Sequence, residues 1–310
     1  MTKPLALLLA RLPDFLTTPL SEVCDTELFP ENEATGTPPK AEQIRAIVMG
    51  GGNTAPISLL DQLPNLEIIS VYGVGYDGVP LDYCQKRGIR VTNTPDVLTD
   101  DVADIATALV LMTSRKLRIA EQFVRDRSWE KDVFPLTHSL KGKTAGILGL
   151  GRIGKAIADR LQAHGMDIAY YGRKPQTVPY AYHSTLQSLA EASDFLVVAC
   201  PGGNETKHLV NAEVLTALGP EGTLINIARG SVVDGEAVVE ALVESKIRGA
   251  GLDVFENEPY LPELLLNSDR VVLFPHIGSG TYETRNEMAR LSVENVAAHF
   301  TGSPLLTPVI

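Results

Sequence analysis

The sequence predicts an α/β protein of two domains, each with a mainly parallel sheet wound between helices. Three observations predict it. Short apolar runs alternate with stretches of helical periodicity along most of the 310 residues, which is the signature of repeated strand–helix–strand units. One such run, Ala145 to Leu148, opens directly into the pattern G-x-G-x-x-G. The length, with 44% hydrophobic and 21% charged residues, supports sizeable cores and excludes a disordered chain.

In the first part of the chain, strands are expected at Leu5 to Leu9, Ala46 to Met49, Leu66 to Val71 and Arg90 to Thr92. Helices are expected at Ile57 to Leu63 and Leu81 to Arg87, and turn residues crowd Pro30 to Lys40 into a loop. Two glycine loops, MGGGN (Met49 to Asn53) and YGVGYD (Tyr72 to Asp77), fall at strand ends, where an open α/β sheet collects ligands. The bare amides of Val74 and Gly75 suit a small carboxylate; plain tight turns fit the same residues. Thr99, followed by Asp100 and Asp101, reads as a capped helix start. Val102, Ile105, Ala106, Leu109 and Met112 then form an apolar stripe, so this helix leads from a first domain (1–97) into a second (98–281). Trp129, the only tryptophan, stands in the charged stretch Asp126 to Asp132 and reads as local packing or as a subunit contact. Later strands are expected at Asp167 to Tyr171, Phe195 to Ala199, Thr223 to Ile227, Gly249 to Leu252 and Val271 to Phe274. A final helix, Tyr282 to Phe300, with Val293, Val296, Ala297 and Phe300 on one face, is expected to return residues 282–310 to the first domain.

The glycine motif has a mechanical reading. Gly149 allows the tight turn out of the strand, Gly151 lets a pyrophosphate approach, and Gly154 lets the next helix pack closely. That helix, Arg152 to His164, keeps Ile153, Ile157 and Leu161 on one face and aims its free amides at a phosphate. With a strand before, a helix after and a second strand, Asp167 to Tyr171, closing the unit, dinucleotide binding is favoured over an empty glycine turn. The second strand of the unit ends Tyr171-Gly172-Arg173-Lys174, with no acid between Asp167 and Glu191 to accept the ribose hydroxyls. Arg173 and Lys174 instead suit a 2′-phosphate, so NADP(H) is preferred and NAD(H) is the alternative. Solvated surface cations that happen to follow a strand are the competing reading.

A formal charge of −11 disfavours nucleic acid and anionic membranes as partners. Three separated cysteines match no metal or disulfide spacing, and Leu5 to Ala10 reads as a strand rather than a signal core. No run approaches the ~18 apolar residues of a membrane span. A cytoplasmic protein without a metal is expected.

Three polar residues follow successive strands: Arg229 after LINIA, Glu258 in DVFENEP, and His276 in FPHIGSGT. Singly, each has a structural explanation: a solvated arginine, a turn glutamate, a hydrogen-bonded histidine. Together they fall at the carboxyl end of one sheet, where a nicotinamide would lie. Here the sequence resembles the D-2-hydroxyacid dehydrogenase family. GVGYD, RVTNTPDVLTDDVAD, GILGLGRIG, INIARGSVVD, GAGLDVFENEP, PHIGSGTYETRNEMA and the closing LLTP match the family's segments in the family's order. The basic residues after the second strand resemble its NADPH-dependent glyoxylate/hydroxypyruvate reductase branch and the related 2-ketogluconate reductases.

The resemblance implies a Rossmann-type doubly wound sheet for the cofactor and a smaller flavodoxin-like α/β substrate domain. It implies reduction of small 2-keto acids, glyoxylate or hydroxypyruvate, to D-2-hydroxy acids. Arg229, Glu258 and His276 become the catalytic set. His276 donates a proton to the carbonyl oxygen, Glu258 orients the imidazole, and Arg229 binds the keto acid. Gly51, Val74 and Gly75, with Arg229 and His276, contact the substrate. Besides Gly149, Gly151, Gly154 and the basic pair after Gly172, the cofactor is met by Leu150, Arg152, Ile153 and Thr99. Cys200, Pro201 and Thr206 belong to the same set, as do Ile227, Ala228, Arg229, Asp253, His276 and Gly278. Asp253 borders the nicotinamide. A homodimer is expected, with Trp129 near the contact. Gly280 replaces a common alanine, and Glu258 departs from the glutamine of the formate dehydrogenase relatives. Competing readings are a reductase of a bulkier 2-keto acid, 2-ketogluconate or an arylpyruvate, and a non-catalytic dinucleotide sensor like the related corepressors.

Overall fold

The computed structural model describes residues 3–30 and 36–310, so residues 31–35 of the expected Pro30 to Lys40 loop lie outside the described residues. The chain divides into two compact units, residues 1–98 with 281–310, and residues 99–280.

The first unit runs β1 (Leu5–Leu8), α1 (Asp14–Val23), β2 (Asp25–Leu28), β3 (Ile44–Gly50), α2 (Ile57–Leu60), β4 (Ile68–Tyr72), α3 (Leu81–Arg87) and β5 (Arg90–Thr92). Among the described residues these strands form one parallel five-stranded sheet in the order β2-β1-β3-β4-β5, the flavodoxin-like winding. Leu7, Ile47, Ile69 and Val91 supply its core. Two elements escape the sequence pattern. Helix α1 carries Pro19 internally and buries only Leu16 and Leu20, while β2 is a polar edge strand. The expected helix from Ile57 to Leu63 stops at Leu60 and finishes in tight turns, since Leu63 precedes Pro64 and is steered out of the α region.

The second unit opens on α4 (Thr99–Arg115) and α5 (Leu117–Arg125). The sheet elements follow as β6 (Thr144–Leu148), α6 (Arg152–Ala163), β7 (Asp167–Tyr171), β8 (Ala181–His183), α7 (Leu186–Glu191), β9 (Phe195–Val198), α8 (Ala212–Leu218), β10 (Thr223–Asn226), α9 (Gly235–Val243), β11 (Gly249–Leu252), α10 (Glu263–Leu266) and β12 (Val271–Leu273). All pairings are parallel, in the order β12-β11-β10-β9-β6-β7-β8. The order reverses between β6 and β9, and the glycine turn leaves β6 at that switch point, where doubly wound sheets bind ligands. Fully buried runs such as Phe195–Val198 reflect a sheet covered on both faces. The short edge strand β8 follows Pro179 and had no alternating pattern to reveal it.

Helix α11 (Tyr282–Thr301) returns to the first unit and packs on α1 and β4. Its buried surface is broader than the expected stripe: Met288, Leu291, Ser292 and Asn295 are buried, while Ala297 and Phe300 are only partly covered. Asn295, fully buried, accepts from the amides of Leu306 and Thr307 at 3.0 and 3.1 Å and donates to the Leu291 carbonyl and the Thr307 hydroxyl, each at 2.8 Å. Asp100, expected to serve the start of α4, also pairs with Arg160 of α6 at 3.0 Å, and Asp104 joins it at 2.5 Å. Trp129 is 70% exposed, which removes the local-packing reading. Among the described residues no helix is long and apolar enough to cross a membrane.

Candidate active site

At the end of β6, Gly149 adopts φ +98°, a left-handed conformation, and a Cβ there would lie 2.7 Å from the Cys200 backbone. A Cβ on Gly154 would stand 2.2 Å from the Gly149 carbonyl, so α6 touches the turn. Gly151 differs: a side chain there would meet nothing within 4 Å. The protein's own packing therefore does not require glycine at 151, whereas a ligand approaching the backbone does. Arg152 and Ile153 open α6, whose first amides have no partner within the helix. The Leu150 side chain is buried, and its carbonyl accepts from the Gln176 side chain at 2.9 Å. Gly172 likewise faces open space, and Arg173 and Lys174 are exposed without a hydrogen bond or ion pair to the described residues.

Beside the turn, Cys200 is buried, and burial pushes its thiol up to about 11 against a smaller lowering backbone hydrogen bond, so it packs as a neutral group. Pro201 is exposed, and the Thr206 hydroxyl donates to its carbonyl at 2.8 Å, closing that loop on itself. Thr99 is the first residue of α4 and is half-buried.

The turn after β10 carries Ile227, Ala228 and Arg229. The buried Asn226 holds it, accepting from the Ala228 amide at 3.1 Å and donating to the Arg229 carbonyl at 3.0 Å. Nothing in its strand context singled Asn226 out. Gly230 brings this turn against the DVFENEP loop, since a Cβ there would lie 1.8 Å from the Phe255 carbonyl carbon. A second tie joins the loops around it: His208 Nε2 meets Glu256 Oε1 at 2.6 Å.

In that loop, one oxygen of Glu258 accepts from the Phe255 amide at 2.9 Å and the other meets His276 Nδ1 at 2.8 Å. Burial raises the Glu258 carboxyl, but the bonds from His276 and Phe255 and the charges of His276 and Arg229 outweigh it, leaving it below the usual carboxylate value. His276 has φ +55°, unusual for a residue with a side chain and a conformation held by its surroundings. Those surroundings are the carbonyl of Asp253, which accepts the His276 amide at 2.9 Å, and the Asp253 carboxylate, which accepts from Ile277 and Gly278 at 2.8 Å each. Burial raises the Asp253 carboxyl, partly offset by those two amides and the His276 charge. With Nδ1 engaged, Nε2 of His276 makes no hydrogen bond to the described residues. An imidazole oriented through Nδ1 is equipped for proton transfer at Nε2.

Arg229, Glu258 and His276 thus share one unit, whereas Gly51, Val74 and Gly75 lie in the other. There the two glycine loops interlock. A Cβ on Gly73 would be 2.9 Å from Gly51 Cα, and one on Gly78 would be 2.1 Å from the Asn53 carbonyl. Asn93 fixes the second loop by donating to the Val74 carbonyl at 2.8 Å. The amides of Val74 and Gly75 bond to none of the described residues. These turns are tight for packing reasons, and they leave two adjacent donors for an anion. No group of three or more metal-ligating side chains occurs among the described residues.

Residues 107–278 match the family model for the NAD binding domain of D-isomer specific 2-hydroxyacid dehydrogenases. A hydroxyphenylpyruvate reductase of Plectranthus scutellarioides is 52% identical over 273 residues, 87% of each chain. A glyoxylate/hydroxypyruvate reductase A of Arabidopsis thaliana is 51% identical over 269 residues, 86% of each. The crystal structure of an NADPH-dependent glyoxylate/hydroxypyruvate reductase from Sinorhizobium meliloti, in complex with NADP and malonate, aligns with a TM-score of 0.94 at 46% identity, covering 99% of this chain and 97% of that one.

Proposed function

This chain belongs to the D-isomer specific 2-hydroxyacid dehydrogenase family, and on that footing we propose that it is an NADPH-dependent reductase of small 2-keto acids, glyoxylate and hydroxypyruvate, yielding D-2-hydroxy acids. The observation that carries the reading is the His276–Glu258 contact of 2.8 Å, with Nε2 of His276 bonded to none of the described residues and the Arg229 charge among the causes that lower the Glu258 carboxyl.

The residues present fit a dinucleotide with a 2′-phosphate: Gly151 leaves the backbone open, the start of α6 offers amides, and Arg173 and Lys174 are cations with no hydrogen bond or ion pair among the described residues. Bound there, the reduced nicotinamide supplies the hydride for the carbonyl carbon. The chain's own residues do the rest. The amides of Val74 and Gly75, beside Gly51, hold the substrate carboxylate. Arg229 binds carboxylate and carbonyl oxygen in a planar fork and stabilises the charge gathering on that oxygen. Nε2 of His276 delivers the proton to it, a general-acid role worth ~10²–10⁴ in rate. Glu258 holds the imidazole in orientation through Nδ1. Asp253 keeps the His276 turn in shape through Ile277 and Gly278.

A panel of 2-keto acids assayed with NADPH and NADH tests this. Turnover of glyoxylate or hydroxypyruvate with a clear NADPH preference is expected; absence of NADPH oxidation with every 2-keto acid would leave the dinucleotide sensor instead. The hydroxyphenylpyruvate reductase similarity favours a second reading, an arylpyruvate as substrate, which the same panel separates. We also propose a cytoplasmic homodimer. Three unpaired, separate cysteines fit a reducing compartment, and the exposed apolar residues Trp129, Val133 and Leu136 after α5 fit a subunit contact.

A further inference from the structure

The loop that carries Arg173 and Lys174 is pinned at both ends. Before it, the Tyr182 hydroxyl on β8 donates to the Gly172 carbonyl at 3.4 Å. After it, the hydroxyl of the buried Tyr170 on β7 accepts from the Gln176 amide at 2.7 Å and sits 3.4 Å from the Gln176 carbonyl. Tyr170 and Tyr182 are register partners across the two strands, their rings 5.4 Å apart. The Gln176 side chain then crosses to the glycine turn and donates to the Leu150 carbonyl at 2.9 Å. The exposed residues 173–175 are therefore held between two pinned ends, one of which, Gln176, is tied to the turn expected to receive the pyrophosphate.

A cation on a loose loop loses binding energy to the entropy of ordering it, whereas one on a pinned loop does not. Pyrophosphate binding asks only for backbone amides and has no need of a side-chain donor at 176. We infer that Gln176 is a positioning residue for cofactor selectivity: its bond to Leu150 holds Arg173 and Lys174 at a set reach from the pyrophosphate, where they distinguish a ribose 2′-phosphate from a 2′-hydroxyl. This rests on the NADPH reading above and names the residue that tunes it.

The test compares Gln176→Ala and Tyr182→Phe with the Arg173→Ala/Lys174→Ala double variant, using kcat/KM for NADPH and NADH and the Kd of 2′,5′-ADP. Each single variant is expected to weaken NADPH use and 2′,5′-ADP binding by about 3- to 10-fold, the range of one neutral hydrogen bond, with less than about a twofold change for NADH. Tyr182→Phe guards against misfolding, since it removes one hydroxyl and keeps the ring. Equal losses with both cofactors, or no loss with either, overturn the inference. A double variant that keeps the wild-type NADPH to NADH ratio overturns the cofactor reading itself, a separate result.

Discussion

At the scale of single residues, the proposed chemistry turns on an imidazole with one nitrogen held by Glu258 and the other without a hydrogen bond among the described residues. His276→Ala is expected to lower kcat by about 10²-fold or more while the Kd for NADPH, measured by fluorescence titration, stays within about twofold. Arg229→Lys should reduce kcat/KM for the keto acid by about 10- to 100-fold, because an ammonium cannot make the two parallel bonds of a guanidinium; an unaltered value would remove Arg229 from substrate binding. Glu258 makes a pH prediction with a definite sign. Its carboxyl lies below the usual value in the folded protein, so its charged form favours folding. That contribution is present above the ordinary glutamate value of about 4.3 and is lost as the pH falls through the lower folded value. The difference in thermal midpoint between wild type and Glu258→Gln should therefore shrink as the pH is taken below about 4. Its side chain is a third exposed, so solvent screening keeps the effect small.

At the scale of elements, turns are secured by side chains whose partners lie elsewhere in the chain. Asn295 joins α11 to the closing residues through four hydrogen bonds. Asn295→Ala should cost about 1–3 kcal/mol in urea unfolding, since it removes the four hydrogen bonds made by this fully buried side chain; a loss below about 0.5 kcal/mol would show that its partners are satisfied by water. Gly154→Ala should disrupt the glycine turn, because its Cβ would fall 2.2 Å from the Gly149 carbonyl oxygen, so the backbone there would have to shift. The expected readout is loss of NADPH binding together with a lower midpoint, unlike His276→Ala, which leaves both near wild type.

At the scale of the whole molecule, the exposed run after α5 stands out, with Trp129, Val133 and Leu136 at 70%, 82% and 98% exposure. Association of two copies along this strip would bury apolar surface. Sedimentation should report a species of twice the chain mass, and Val133→Asp/Leu136→Asp should shift it towards the monomer. A wild-type chain that sediments only as a monomer would contradict the dimer.

What the sequence by itself determined is what local chemistry and burial write into a string of residues. Buried strands such as Phe195–Val198, the glycine turn, the missing acid after Tyr171 and the three polar residues after successive strands were all readable from composition and spacing. So was the two-domain parallel architecture. The tertiary structure alone decided the rest. Edge strands β2 and β8 are stabilised by pairing to one neighbour and carry no apolar alternation to announce them. Helix α1 persists despite Pro19 because Leu16 and Leu20 find a core, and Asp100 meets an arginine sixty residues away along the chain. Asn226, Asn295 and Gln176 look like ordinary polar residues until folding brings their partners near. Periodicity records which side of an element is dry; it holds no information on which distant polar atom a side chain will meet, because that depends on how the layers stack.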